Sequence, residues 1–187
     1  MNDNILDLLR KRRTVRKFTD QKVSDEQIVA LLEAAFYAPN YLNRKPWHFL
    51  VVQDKDVQNI LGSILGVRPY VQEASAVIVL LGDPQLSSAW QLDLAVAGEN
   101  IAIAATAMGL GSAWVGNPHS AAWDVTEQKI RELLDIPKHI GVLALIAIGY
   151  PAQAPEPHTK EERWDVSRVH YGKFSHLKGE WGNIKVK

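Results

Sequence analysis

The sequence predicts an α+β domain, and three observations carry that reading. Helical and strand patterns follow one another without the regular strand–helix–strand rhythm of a doubly wound sheet. Residues 47–52, 76–81 and 140–148 have the short, apolar character of strands, with 76–81 reading as buried on both faces. An Ala-rich stretch, about residues 90–108, reads as a long helix that is apolar almost all round and therefore central.

Taken in order, residues 4–11 predict a first helix with Ile5, Leu6, Leu8 and Leu9 as its apolar side. A basic run, residues 10–17, follows. The second helix has the clearest start: Ser24 and Gln27 form a capping box, and Val23 and Ile28 can staple across it. Ile28, Leu31, Leu32, Ala35 and Phe36 keep helical spacing until Pro39 ends the element. A short helix is expected near 57–65, between the first two strands. Gly109 suits the C-terminal end of the Ala-rich helix. Residues 112–115 read as a short strand, and Thr126 as the cap of a helix carrying Ile130, Leu133 and Leu134 that stops at Pro137. After Gly149-Tyr150-Pro151 the composition turns to proline and charge. Residues 1–187 are therefore expected to form a single domain with 151–187 as an extended arm.

The chain has 187 residues, 47% hydrophobic and 22% charged, an ordinary globular mixture. Its 21 basic and 21 acidic side chains cancel, which argues against a nucleic-acid or anionic-membrane partner. With no cysteine, thiolate catalysis, disulfides and Cys-based metal sites are excluded. The six histidines show no metal-ligand spacing, so no metal is expected. No signal-peptide pattern opens the chain, and the longest apolar stretch is broken by Asp93, Glu99 and Asn100. The expectation is a cytoplasmic protein.

Three segments are candidates for chemistry. In an extended Arg12-Arg13-Thr14-Val15-Arg16, alternate residues project to one side. Arg12, Thr14 and Arg16 would then offer two guanidinium forks and a hydroxyl to a phosphate. A solvated charge run at a helix C-terminus accounts for the same residues. In the loop from Pro39 to Trp47, Asn43 has the donor and acceptor to pair with a heterocyclic amide edge; ordinary turn chemistry is the competing account. The glycines around Gly109-Leu110-Gly111 and Gly116 would let backbone N–H groups approach a flat ligand, though no P-loop or dinucleotide fingerprint is present; a helix cap followed by an edge strand is the competing account.

In this order, the segments resemble the nitroreductase family of FMN-dependent oxidoreductases. The resemblance is carried by residues 12–18, by Ala38-Pro39 with Asn43 and residues 46–49, and by Glu99-Asn100. It continues through residues 108–112, Gly149-Tyr150-Pro151, Arg163-Trp164-Asp165 and Val169-His170. It implies an α-β-α sandwich with a mostly antiparallel central sheet. It also implies a homodimer with FMN at the subunit interface, reduced by NADH or NADPH and oxidised by a small acceptor such as a nitroaromatic or a quinone. Flavin N5 would carry the chemistry, so no catalytic side chain is assigned. Arg12, Arg13, Thr14 and Arg16 match positions holding the phosphate and ribityl region. Asn43 matches one that bonds the ring edge, and Trp114, Val115 and Gly116 pass the flavin face near N5. Arg163, with Lys160, matches a late basic site at the phosphate. Asn40, Tyr41 and Lys45 depart from the family pattern, which directs attention to the acceptor pocket. A flavin-binding or storage module without turnover would carry the same residues, and dehalogenation or enoyl reduction also runs on this fold.

Overall fold

The computed structural model describes residues 3–174 except 67, 119 and 121. They divide into two compact units, Met1–Glu156 and Pro157–Lys187. The first is built on a four-stranded antiparallel sheet. Its strands are β1 (Trp47–Val52), β2 (Ala76–Gly82), β3 (Gly111–Val115) and β4 (Gly141–Gly149), in the order β1-β2-β4-β3. Its helices are α1 (Asp3–Lys11), α2 (Asp25–Phe36), α3 (Lys55–Ile64), α4 (Pro69–Glu73), α5 (Trp90–Ala107) and α6 (Trp123–Leu133).

Every residue of β2 is buried, so the sheet must be covered on both faces. Side chains alternate as the pleat requires. Val77, Val79 and Leu81 join one core with Leu61, Val71 and Ile130 from α3, α4 and α6. Ala76, Ile78 and Leu80 join the other with Leu31 of α2 and Leu94, Ala97 and Ile101 of α5. The first unit is thus an α-β-α sandwich. A register shift beside Leu80 and Leu81 leaves Leu143 of β4 as an extra residue.

The expected capping box at Ser24 and Gln27 is present in both directions. Val23 and Ile28 lie in the same core. Gly109, at φ +72°, follows α5 as its left-handed terminator. Thr126 does not cap α6. The helix starts three residues earlier, at Trp123, and the Thr126 hydroxyl donates back to the Ala122 carbonyl at 2.9 Å. Helix α4 was not expected; Pro69 at its first position is the signal that marks it.

Close approaches on α5 and β3 set where the edges lie. A Cβ on Gly98 would sit 2.6 Å from Cζ3 of Trp114, so the indole lies directly on the helix backbone. A Cβ on Gly111 would meet Val15 at 2.6–2.8 Å. That gap admits the segment after α1 beside β3: Thr14 bridges Ser112 in parallel, and the Val15 N–H donates to the Ser112 carbonyl at 2.9 Å.

The start of the expected arm is tied to the first unit. Pro151 bridges Phe18, the Ala152 N–H donates to the Lys17 carbonyl at 3.0 Å, and Arg13 donates to the Glu156 carbonyl. The two units divide after Glu156. Among its described residues the second unit holds one turn of α-helix, α7 (Lys160–Arg163), capped by Thr159. Its 3-10 turn (Val166–Arg168) is led by Asp165, whose carboxyl is held below the usual carboxylate range by hydrogen bonds from Ser167. Residues 175–187 of the expected arm lie outside the described residues.

Substituting Gly111→Ala should destabilise the protein by about 1–3 kcal/mol, since Val15 is β-branched and cannot swing away. Urea unfolding measures this; an unchanged midpoint would show that the segment is not packed as described.

Candidate functional site

The structure distributes the expected site residues of the first unit between the two edges of the sheet. At the β3 edge a cavity of about 550 Å³ is lined by Arg16, Arg68, Tyr70 and the strand end Trp114, Val115 and Gly116. The Arg16 guanidinium lies 6.0 Å from the centroid of the Tyr70 ring, within cation–π reach. Trp114 is 39% exposed, and its indole N–H donates to the Gly116 carbonyl at 3.3 Å. Gly116 turns the chain at φ +146°. A Cβ there would fall 2.9 Å from Cα of Ala144, so glycine alone fits and the backbone beside the cavity stays bare. Among the described residues, no aspartate or glutamate lines this cavity. Two guanidiniums, the indoles of Trp114 and Trp123 and an unencumbered backbone in a space of this size fit a flat aromatic ligand that carries negative charge.

Arg68 and Tyr70 went unnoticed in the sequence. Arg68 immediately precedes α4, its N–H donating to the Gly62 carbonyl at 3.0 Å, and a five-residue helix offers no periodicity to announce it.

The basic cluster does not converge as alternation suggests. Arg12 turns to α5, where its Nε meets the Glu99 carboxylate at 3.1 Å. Arg13 is engaged with the Glu156 carbonyl, and Thr14 is exposed beside β3. Only Arg16 of the four lines the cavity. Backbone pairing with β3 stops the segment from curling, so its side chains diverge to separate neighbours. Lys160 and Arg163 are one turn apart on α7, in the second unit.

Asn40, Tyr41, Asn43 and Lys45 lie in the loop that enters β1, the opposite edge strand. A 3-10 turn (Tyr41–Asn43) occupies its centre. Leu42, Asn43 and Lys45 all take left-handed backbone angles, with φ of 50°, 55° and 49°. For Leu and Lys this is strained, and such clusters mark sites where surrounding structure dictates the conformation. Hydrogen bonds do so here. The Lys45 N–H donates to Asn40 Oδ1 at 2.8 Å, and the Tyr41 N–H to Asp93 Oδ1 at 2.8 Å. The Arg44 guanidinium donates to the Leu86 carbonyl at 3.1 Å. The Asn43 side chain is exposed.

Among the described residues, no group of three or more His, Cys, Asp or Glu side chains could hold a metal ion. His119 and His176 lie outside them. Asp93 and Glu99 do not face one another: the first is buried beneath the β1 loop and the second is exposed against Arg12. No helix among the described residues is long and apolar enough to cross a membrane.

Comparison with known proteins places this arrangement among relatives. The sequence profile described as the nitroreductase family matches residues 9–80 and 68–150. A protein of Archaeoglobus fulgidus, provisionally named NADH dehydrogenase/NAD(P)H nitroreductase, is 34% identical over 177 residues, spanning 92% of this chain and 99% of that one. The fold matches an FMN-dependent nitroreductase from Clostridium difficile R20291 with a TM-score of 0.85 at 29% identity, over 90% of this chain and 99% of the other. It matches the NADPH:FMN oxidoreductase of Vibrio harveyi, solved with NAD+, with a TM-score of 0.80 at 25% identity, over 93% and 79%.

Strain in the β1 loop is measurable. Lys45→Gly keeps the N–H that Asn40 holds and removes the left-handed penalty, so it should stabilise the protein by about 1 kcal/mol. A lower unfolding midpoint would show that no strain is stored at that position.

Proposed function

The chain belongs to the nitroreductase family, and on that premise we propose that it is an FMN-dependent oxidoreductase. In this reading it takes reducing equivalents from NADH or NADPH and delivers them to a small oxidised acceptor such as a nitroaromatic or a quinone. The observation that carries the proposal is the carboxylate-free cavity where Arg16, Arg68 and the bare backbone at Gly116 meet. Bound FMN would supply the hydride-accepting and hydride-donating centre, which this cysteine-free chain does not provide from its own side chains.

The residues have separable tasks in this proposal. Arg16 and Arg68 offset negative charge on the cofactor, and they do so in a cavity whose lining carries no competing anion. Trp114 and Val115 form an apolar wall for the ring, and Gly116 lets the backbone approach it. Arg12 meets Glu99 through Nε, which leaves its terminal nitrogens to bond a phosphate. Asn43, Asn40, Tyr41 and Lys45 belong to a rim at the other edge strand. A homodimer joins the two rims if the second copy brings its β1 loop to the cavity of the first. Exposed apolar side chains support such a dimer: Leu92 (71% exposed) and Val96 lie one turn apart on α5, and Ile5, Leu6 and Leu9 are exposed on α1, which packs against it. Lys45 would then add a cation near the acceptor and favour anionic acceptors.

The purified protein should bind FMN, show flavin absorbance, and oxidise NADH or NADPH when a quinone or nitroaromatic is present. A protein that fails to bind added FMN, or whose flavin neither nicotinamide reduces, would overturn the proposal. Arg16→Ala and Arg12→Ala should each weaken FMN binding by roughly 1.5–3 kcal/mol, the range for a charge-assisted hydrogen bond. Unchanged titrations in both variants would remove these residues from the binding site. Light scattering should give the mass of a dimer; a monomer at working concentration would refute the shared site.

A further inference from the structure

Asp93 is a buried carboxylate, 5% exposed, in the first turn of the Ala-rich helix α5. The proposed chemistry does not use it. Burying a charge is costly unless hydrogen bonds satisfy it, and Asp93 has two. Oδ1 accepts the Tyr41 N–H at 2.8 Å, and Oδ2 accepts the Ser87 hydroxyl at 3.0 Å. The N-terminus of α5 also favours negative charge at this point. Ser87 is itself buried, its hydroxyl oxygen accepting from the Ala89 N–H at 3.1 Å. The carboxylate is thus clamped between the start of α5 and the first residue of the 3-10 turn that carries Asn43.

That turn cannot hold itself. Its backbone bonds, Asn43 N–H to the Asn40 carbonyl at 3.3 Å and Arg44 N–H to the Tyr41 carbonyl at 3.1 Å, are few. They act against left-handed angles at Leu42, Asn43 and Lys45. Such strain persists only where neighbours over-determine the conformation. Asn40 closes the far side through Lys45, and Asp93 fixes the near side through Tyr41. Without the Asp93 acceptor, the Tyr41 N–H loses its partner and the turn is free to relax toward ordinary angles, swinging the Asn43 amide away.

We infer that Asp93 is the positioning residue for Asn43: from within α5 it sets the direction in which the Asn43 amide faces the edge of the flavin ring. The inference rests on the assignment of Asn43 to that ring edge.

The test compares FMN with FMN methylated at ring N3, which cannot donate to an amide oxygen, by fluorescence titration of the full-length protein. The wild type should prefer FMN by roughly two- to tenfold, the value of one hydrogen bond. Asn43→Ala should abolish the preference. Asp93→Ala should also bring the ratio close to one, while Asp93→Asn, whose oxygen still accepts from Tyr41, should restore it. Ser87→Ala, which frees one side of the clamp, should give an intermediate ratio and serves if Asp93→Ala does not fold. A purely structural role predicts something different: both ligands bind more weakly and the ratio survives. A wild-type ratio in folded Asp93→Ala or Ser87→Ala overturns the inference. A wild-type ratio in Asn43→Ala overturns the assignment of Asn43, and the inference with it. Absence of any FMN binding by the wild type refutes the cofactor reading instead.

Discussion

The structure depends on the burial of β2 between two cores. Every residue of Ala76–Gly82 is buried, so each face of the sheet needs its own helical cover, and the order β1-β2-β4-β3 keeps β2 and β4 inside. Paired backbone in the middle of such a sheet cannot also serve a ligand. Polar chemistry is confined to the two edge strands and the loops that feed them. The Arg16 cavity borders β3, and the strained Asn43 turn opens onto β1. The distance between these rims follows from the sheet, and it gives a physical motive for pairing two copies of the chain.

Two polar contacts carry the influence of α5 outward to those rims. Glu99 reaches Arg12 at one edge, and Asp93 reaches Tyr41 at the other. The two acids sit six positions apart and therefore leave the helix in different directions. Their exposure differs as well: the Arg12–Glu99 pair is partly solvated, where a single ion pair contributes little, whereas Asp93 is enclosed, where loss of a partner is costly. The helix reads in sequence as apolar almost all round, yet two of its acids tie it to the segment after α1 and to the loop before β1.

Most of the fold was legible. Strand positions followed from short apolar runs, and the start of α2 from the reciprocal Ser24 and Gln27 bonds, because these signals are local. What was not legible depended on partners distant in sequence. Thr126 looked like a helix cap, but Trp123 packs into the core and draws the helix start back to itself. Arg68 joined the cavity only through folding of α3 and α4. Alternation predicted one direction for Arg12, Thr14 and Arg16; Glu99 draws Arg12 to α5, while Arg16 lines the cavity. The Asn43 loop was recognisable as a loop, but its left-handed angles are imposed by Asp93 and Asn40. Residue types near a site are written in the sequence; the hydrogen bonds that aim them are not.

Gly98 bears on how such a chain can diversify. Trp114 rests on the bare helix backbone at this point, and the same indole walls the cavity. A single added methyl group beneath it would lift the ring outward and shrink the space available, with no residue of the cavity itself altered. The size of the cavity is therefore adjustable from a position that does not line it. Selection for a narrower or wider cavity would have a route through the helix floor, and a survey of variation restricted to lining residues would overlook it.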